Sequence, residues 1–279
     1  MIEIGKYNTL EILRLTTVGL FLGDESGEDV LLPNKYCPED FEIGDELEVF
    51  VYRDHAERKV ATSLTPYIEL HQFALLEVTD VTELGAFLDW GLEKNLMVPF
   101  SEQRQKMRLG RWYVVFLNLD DKTDRLYATN KVEKHLSNEE LTVARGDKVD
   151  LLILSETELG FSVIVNHQHK GLIYNNEIFK ELKVGDVLSG YVKKIREDNK
   201  LDISLQPLGY TKFNDENVQK IYDALVANGG SLDLTDRSSP EQIYARFGLS
   251  KKAFKKAVGG LYKQRKITIE PDGIHLAQV

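Results

Sequence analysis

Seven cations stand between Lys251 and Lys266, namely Lys251, Lys252, Lys255, Lys256, Lys263, Arg265 and Lys266, with no Asp or Glu among them. Most charge runs are solvated helix faces with interleaved acids. The missing acids therefore matter, because ammonium groups with no carboxylate on their own element are set to meet phosphate oxygens. Two phenylalanines suggest a second chemistry. Phe21 lies between Leu20 and Leu22, and Phe87 between Ala86 and Leu88, in apolar runs short enough to be strands. Strand side chains alternate faces, so if the neighbours fill a core, each ring stands on the outer surface, where it can stack on a base.

Other chemistries find little support. Of His55, His71, His135, His167, His169 and His275, only His167 and His169 are close in sequence, and no third ligand accompanies them. No metal site is expected. Cys37 is the only cysteine, which excludes an intramolecular disulfide or a cysteine-based zinc site and fits a reducing compartment. There is no Gly-x-x-x-x-Gly-Lys loop, no Gly-x-Ser-x-Gly turn and no nucleophile beside a base. The expectation is a binding protein: no enzyme, no cofactor, no small-molecule substrate.

The elements that must carry these side chains follow one internal ruler. Gly19, Pro33, Gly44 and Ser63 are separated by 14, 11 and 19 positions, as are Gly85, Pro99, Gly110 and Thr129, and Gly160, Tyr174, Gly185 and Ser204. Such recurrence marks a tandem module. Within each copy, short apolar runs separated by turn signals read as five strands. They are expected at 7–12, 19–22, 28–32, 46–53 and 59–63, then at 73–81, 85–90, 95–98, 111–120 and 125–129, and finally at 148–155, 160–166, 169–173, 187–195 and 200–205. A sheet of five strands leaves edges open unless it closes, and the common closed solution is the Greek-key OB barrel.

Copy two, with Glu83-Leu-Gly-Ala-Phe-Leu88, Leu96-Met-Val98, Leu109-Gly110 and Asp120 to Arg125, resembles the S-one RNA-binding domain. Copy three carries Gly171-Leu-Ile-Tyr174 and Val184-Gly-Asp186, and copy one Ile43-Gly-Asp45. The resemblance implies a stacking aromatic and a closing acid–cation pair, Asp54 with Lys59 and Asp120 with Arg125, that sets a cation beside the ring. Departures are several. The aromatic before the glycine is Val18, Leu84 and Leu159, the histidine slot holds Pro33, Pro99 and Tyr174, and Phe87 becomes Ser162 in copy three, where Phe161 is expected to point inward. Candidate RNA contacts are Phe21, Phe87 and Arg125, with His169, Lys170, Tyr174, Lys193, Lys194, Arg196 and Lys200 in copy three. Copy one is the expected scaffold.

After Pro207 the period changes. Residues 215–228 have helical spacing ending at Gly229-Gly230; Ser239-Pro240 starts a second helix stopped by Gly248; Ser250 caps a third that runs to Gln264. Strands at 266–270 and 273–277 follow, joined by a Pro271-Asp-Gly273 turn. Three helices and a hairpin read as a winged helix-turn-helix, with the cations on the helix used for contact. From Lys212 onward there are 11 Lys/Arg against 8 Asp/Glu, net +3, leaving -13 for residues 1–211 out of a total of -10.

The expected fold is therefore mostly β: three tandem five-stranded OB barrels, at 1–65, 70–131 and 143–207, followed by an α+β winged helix at 212–279. The linker containing Asn138-Glu-Glu-Leu141 is expected to be helical. In module order, and in the run from Leu249 to Lys263, the chain resembles the conserved virulence factor B family of bacterial RNA-binding regulators. The resemblance implies a cytoplasmic, non-enzymatic RNA binder affecting gene expression; the OB surfaces and the lysines of the last helix make single-stranded RNA, with little sequence preference, the expected partner. The competing reading is an adaptor whose acidic barrels dock on ribosome- or transcription-associated proteins. Met1-Ile-Glu-Ile-Gly-Lys6 has no leader pattern, and no apolar run is long enough to span a membrane.

Overall fold

The structure, a computed structural model, describes residues 1–178, 181–207, 216–235, 237–271 and 273–277. Its contacts divide the chain into two units, Met1–Leu208 and Gly209–Val279. In the first unit each repeat opens on a long strand, β1 (Tyr7–Thr16), β6 (Phe73–Val81) and β11 (Lys148–Thr157). All three shift register at the same point, between Ile12 and Arg14, Val78 and Asp80, and Ile153 and Ser155. The extra residue bends the strand, so that one half pairs with the second strand and the other half with the fourth.

The remaining strands are β2 (Gly19–Gly23), β3 (Asp29–Pro33), β4 (Glu46–Arg53) and β5 (Lys59–Thr62) in copy one, and β7 (Gly85–Asp89), β8 (Leu96–Pro99), β9 (Trp112–Asp120) and β10 (Arg125–Thr129) in copy two. Copy three has β12 (Gly160–Val165), β13 (His169–Tyr174), β14 (Val187–Ile195) and β15 (Leu201–Ser204). The ruler's first mark is a backbone contact. Gly19, Gly85 and Gly160 pair with Pro33, Pro99 and Tyr174, and a Cβ on any of them would lie 2.1, 2.3 or 1.9 Å from the carbonyl oxygen of Leu32, Val98 or Ile173. No larger residue fits there. The last mark is misread by one in copy one, where Thr62, not Ser63, occupies the position of Thr129 and Ser204. All three hydroxyls accept from the amide two residues on, that of Leu64, Lys131 and Gln206.

Copies one and three close through a parallel pairing, Leu31 with Val60 and residues 171–173 with 201–203. Copy two keeps the strand order but stays an open sheet: β8 and β10 run side by side without a hydrogen-bonded ladder. The end of β10 is drawn to copy one instead, where Arg53 Nε donates to the Asp124 carbonyl at 2.9 Å and Arg125 Nε to Glu57 Oε2 at 3.2 Å.

Neighbouring barrels share apolar packing. Trp90, buried in copy two, meets Phe50 and Tyr52 of copy one edge-on at 5.9 and 6.2 Å. Between copies two and three, Phe73, Val114, Phe116, Leu152 and Ile164 form a separate cluster. Histidines finish this junction: His135 stacks on Phe116 at 4.0 Å, and His167 Nδ1 accepts the Phe73 amide at 3.0 Å. The linker differs from expectation. Its helical turn is a 3-10 turn at Val132–His135, while residues 138–141 are not helical. The reason is Asn138, whose side-chain amide bonds the Lys170 carbonyl and amide and the Asn199 carbonyl, holding the chain against copy three.

The second unit runs α1 (Glu216–Ala227), β16 (Ser231–Leu232), α2 (Pro240–Phe247), α3 (Lys251–Lys263), β17 (Ile267–Glu270) and β18 (Gly273–Leu276), with sheet order β16-β18-β17. The two-residue β16 was too short for the pattern to reveal. Ser239 and Gln242 form a capping box on α2, and Gly248 ends it in the left-handed region at φ 63°. Phe254, Ala257, Val258 and Leu261 of α3 are buried against Ile221, Leu225, Ile243 and Phe247. The expected helix start at Asp215 and Asp272 of the expected turn lie outside the described residues.

Candidate nucleic-acid interface

On β7, alternation buries Ala86 and Leu88 and leaves Phe87 half-buried on the outer face. The ring lines a groove of about 690 Å³ that follows the unladdered seam between β8 and β10. Met97 and Pro99 line it from β8, and Arg125 and Tyr127 from β10. Tyr52, Arg53, His55 and Glu57 line it from copy one. Copy one, expected to be a scaffold, thus supplies a wall of the copy-two site. Tyr127 could have been read from the sequence, since it lies two residues beyond Arg125 on the same strand. The copy-one residues could not, being about 70 positions away.

Glu57 is the electrostatic centre of this groove. It accepts from Lys94 Nζ at 2.9 Å and from Arg125 Nε at 3.2 Å, and these cations, Lys94 first, hold its carboxyl below the usual range. Arg125 itself remains 61% exposed. The acid–cation pairs read from the sequence do not form. Asp120 instead organises its own hairpin by accepting from the Thr123 hydroxyl at 2.9 Å and from the Thr123 and Lys122 amides at 2.8 and 3.0 Å, which lowers its pKa. In copy one, Asp54 binds Arg58 at 2.6 Å, and Lys59 binds Glu28. Burial pushes the Tyr52 hydroxyl up to about 12, so it stays neutral in the groove wall.

In copy one, the Arg14 guanidinium sits 4.0 Å above the Phe21 ring centroid and is held there by Asp29 at 2.8 Å. One face of that platform is taken by the chain itself. In copy three, Arg196 donates to the Tyr174 hydroxyl and pairs with Asp202 at 2.7 Å, which holds its pKa above the usual value. Lys193 is paired with Glu177, and Lys200 with Asp198 at 2.6 Å; Lys170 and Lys194 are exposed. Phe161 packs on the copy-three core, as expected.

His169 is a correction. It is 2% exposed, its Nδ1 bonds the Ser137 carbonyl at 2.7 Å, and its Nε2 accepts from the Thr142 amide at 3.2 Å. The ring straps the 137–142 segment to the barrel and has no surface to offer RNA. Among the described residues, no group of three or more His, Cys, Asp or Glu is placed to hold a metal ion.

On the winged helix, Lys252, Lys255, Lys256, Lys263 and Arg265 are exposed. Lys251 and Lys266 are partly buried. Lys251 reaches the Arg237 carbonyl at 3.4 Å, and Lys266 lies over the Tyr222 ring at 5.0 Å. Two aromatics the charge pattern did not bring forward, Tyr244 and Tyr262, are 68% and 57% exposed.

Tandem OB barrels with an aromatic-and-arginine groove, followed by a winged helix with a cationic third helix, define a multidomain protein of nucleic-acid-binding build. Family models agree with that class: residues 4–64 match the S1 domain, the S-one family above, and residues 219–276 match the CvfB-like winged helix domain. The uncharacterized protein YitL of Bacillus subtilis (strain 168) is 32% identical, with 94% of this chain and 90% of that protein covered. Conserved virulence factor B of Staphylococcus epidermidis (strain ATCC 12228 / FDA PCI 1200) is 28% identical, with 99% and 95% covered. A crystal structure of a multidomain protein with nucleic acid binding domains from Streptococcus pneumoniae TIGR4 is 27% identical over 98% of each chain, with a TM-score of 0.41. The chain belongs to the conserved virulence factor B family. Among the described residues, no helix is long and apolar enough to cross a membrane.

Proposed function

We propose that this protein is a non-enzymatic, cytoplasmic regulator of bacterial gene expression that binds single-stranded RNA with little sequence preference. The observation that carries the reading is the copy-two groove, where a half-buried Phe87 faces an open seam with Arg125 at its rim. A base entering the seam stacks on Phe87, and stacking of this kind is worth about 1–3 kcal/mol whatever the base. Its phosphate meets the exposed guanidinium of Arg125, whose Nε alone bonds Glu57.

The third helix adds a second contact. Residues 251–263 contain no Arg, Asn or Gln to read a base edge bidentately, so its lysines act on the phosphate backbone and not on sequence. Filter binding of single-stranded RNA across a salt series tests the proposal. Micromolar binding that weakens with salt, and that falls in Lys252→Ala, Lys255→Ala, Lys256→Ala and in Phe87→Ala, supports it. No binding at low salt overturns it and favours the adaptor reading, in which the acidic barrels meet a basic protein.

A further inference from the structure

Gly259 stands inside α3 (Lys251–Lys263), about two turns from its start and one from its end, where glycine weakens a helix relative to alanine. The fold has no use for it: its φ is not positive, and a Cβ built on it would meet nothing within 4 Å. Gly260 beside it turns towards α1, where a Cβ would touch Val218 at 3.9 Å. Gly259 turns the other way. With Phe254, Ala257, Val258 and Leu261 buried, position 259 lies on the outward face of the helix. Its neighbours there, three and four residues away, are Lys255, Lys256, Tyr262 and Lys263, all exposed. A notch without a side chain is thus ringed by three ammonium groups and a tyrosine, on a helix without a carboxylate.

We propose that this notch seats a backbone phosphate of a bound nucleic acid, letting the phosphodiester chain approach the helix axis more closely than any side chain at 259 would allow. The inference rests on the reading of α3 as a nucleic-acid-binding face, and adds a position that charge alone does not identify. The ammonium groups surround the anion from both sides along the axis, and the Tyr262 ring offers a flat surface to the adjoining sugar or base. Alanine at 259 fills the seat while strengthening the helix, so stability and affinity move in opposite directions. A merely structural glycine would move them together.

Full-length Gly259→Ala and Gly259→Leu are melted and then titrated, by fluorescence anisotropy, with labelled single-stranded RNA and with labelled duplex DNA. Both variants should melt at or above the wild-type temperature. Binding should weaken about threefold with alanine and about tenfold with leucine, since each step moves the phosphate further out. The probe that loses affinity identifies whether the phosphate comes from a single strand or a duplex. If wild type binds and both variants bind both probes equally well, the seat is wrong, while loss of binding in the Lys252, Lys255, Lys256 triple-alanine variant would keep the reading of α3. If wild type binds neither probe, seat and reading fall together.

Discussion

Arg125 bonds Glu57 through its Nε and stays 61% exposed, so that carboxylate offsets part of the positive charge that the copy-two groove offers a phosphate. Glu57→Gln keeps the shape and removes the competing anion, and RNA affinity should rise about two- to threefold at low salt, with the gain vanishing as salt screens it. Unchanged affinity would place the RNA elsewhere. Phe87 is the converse case, since its ring is half-buried on the barrel's outer face. Phe87→Ala should lower affinity about thirtyfold, near the middle of the range for a stacked base, with only a small change in melting temperature. His169 is a residue where stability and not binding should respond. Losing its bonds to Ser137 and Thr142 leaves buried polar groups unpaired, so His169→Ala should destabilise by about 1–3 kcal/mol in a denaturant titration with RNA affinity retained by the folded fraction.

At the scale of elements, the glycine opening each second strand is the most demanding position. A Cβ at Gly160 would lie 1.9 Å from the Ile173 carbonyl, so Gly160→Ala must part β12 from β13, and a loss of about 3 kcal/mol or more should show in chemical unfolding. The junction of copies two and three should be sensitive to acid. Burial pulls His167 and His135 below the ordinary value of 6.5, so the neutral forms belong to the packed state. Their contribution is complete above that value and is lost as pH falls through the lowered folded values, because protonated His167 cannot accept the Phe73 amide. The protection factor of the Phe73 amide, its exchange rate taken relative to the intrinsic rate at each pH, should therefore fall as pH drops below 6.5; a flat protection factor would rule the histidines out as a determinant.

The same elements explain what could be read in advance. The first glycine of each ruler, Gly19, Gly85 and Gly160, is legible because a close backbone approach admits one residue type wherever it occurs. The Thr62 position was misread because hairpins differ in length by one residue without any change in composition. The groove of copy two has no linear signature, since one wall of it comes from another repeat, where Arg53 and Glu57 bond Asp124 and Arg125 at the start of β10. His169 reads as a surface group because the contacts that bury it come from Ser137 and Thr142, 32 and 27 positions away along the chain. Tyr262 and Gly259 stand among the lysines of α3 without a charge of their own, so charge alone does not mark them.

At the scale of the whole molecule, charge is divided: -13 over residues 1–211 and +3 beyond, within a total of -10. On the proposed reading, a protein of that balance attracts RNA through local groups and not through its overall field, so binding falls when those groups are removed. The central claim is that a single strand is held by base stacking in the groove and by lysine–phosphate contacts on α3. Its most direct measurement is the slope of log affinity for single-stranded RNA against log salt concentration, in wild type, Phe87→Ala and the Lys252, Lys255, Lys256 triple-alanine variant. Each phosphate contact contributes about 0.7 to that slope for a single strand, so the triple variant should lose about 2 from it, while Phe87→Ala should weaken binding with little change of slope. Three parallel lines, or no wild-type binding at low salt, would contradict the account.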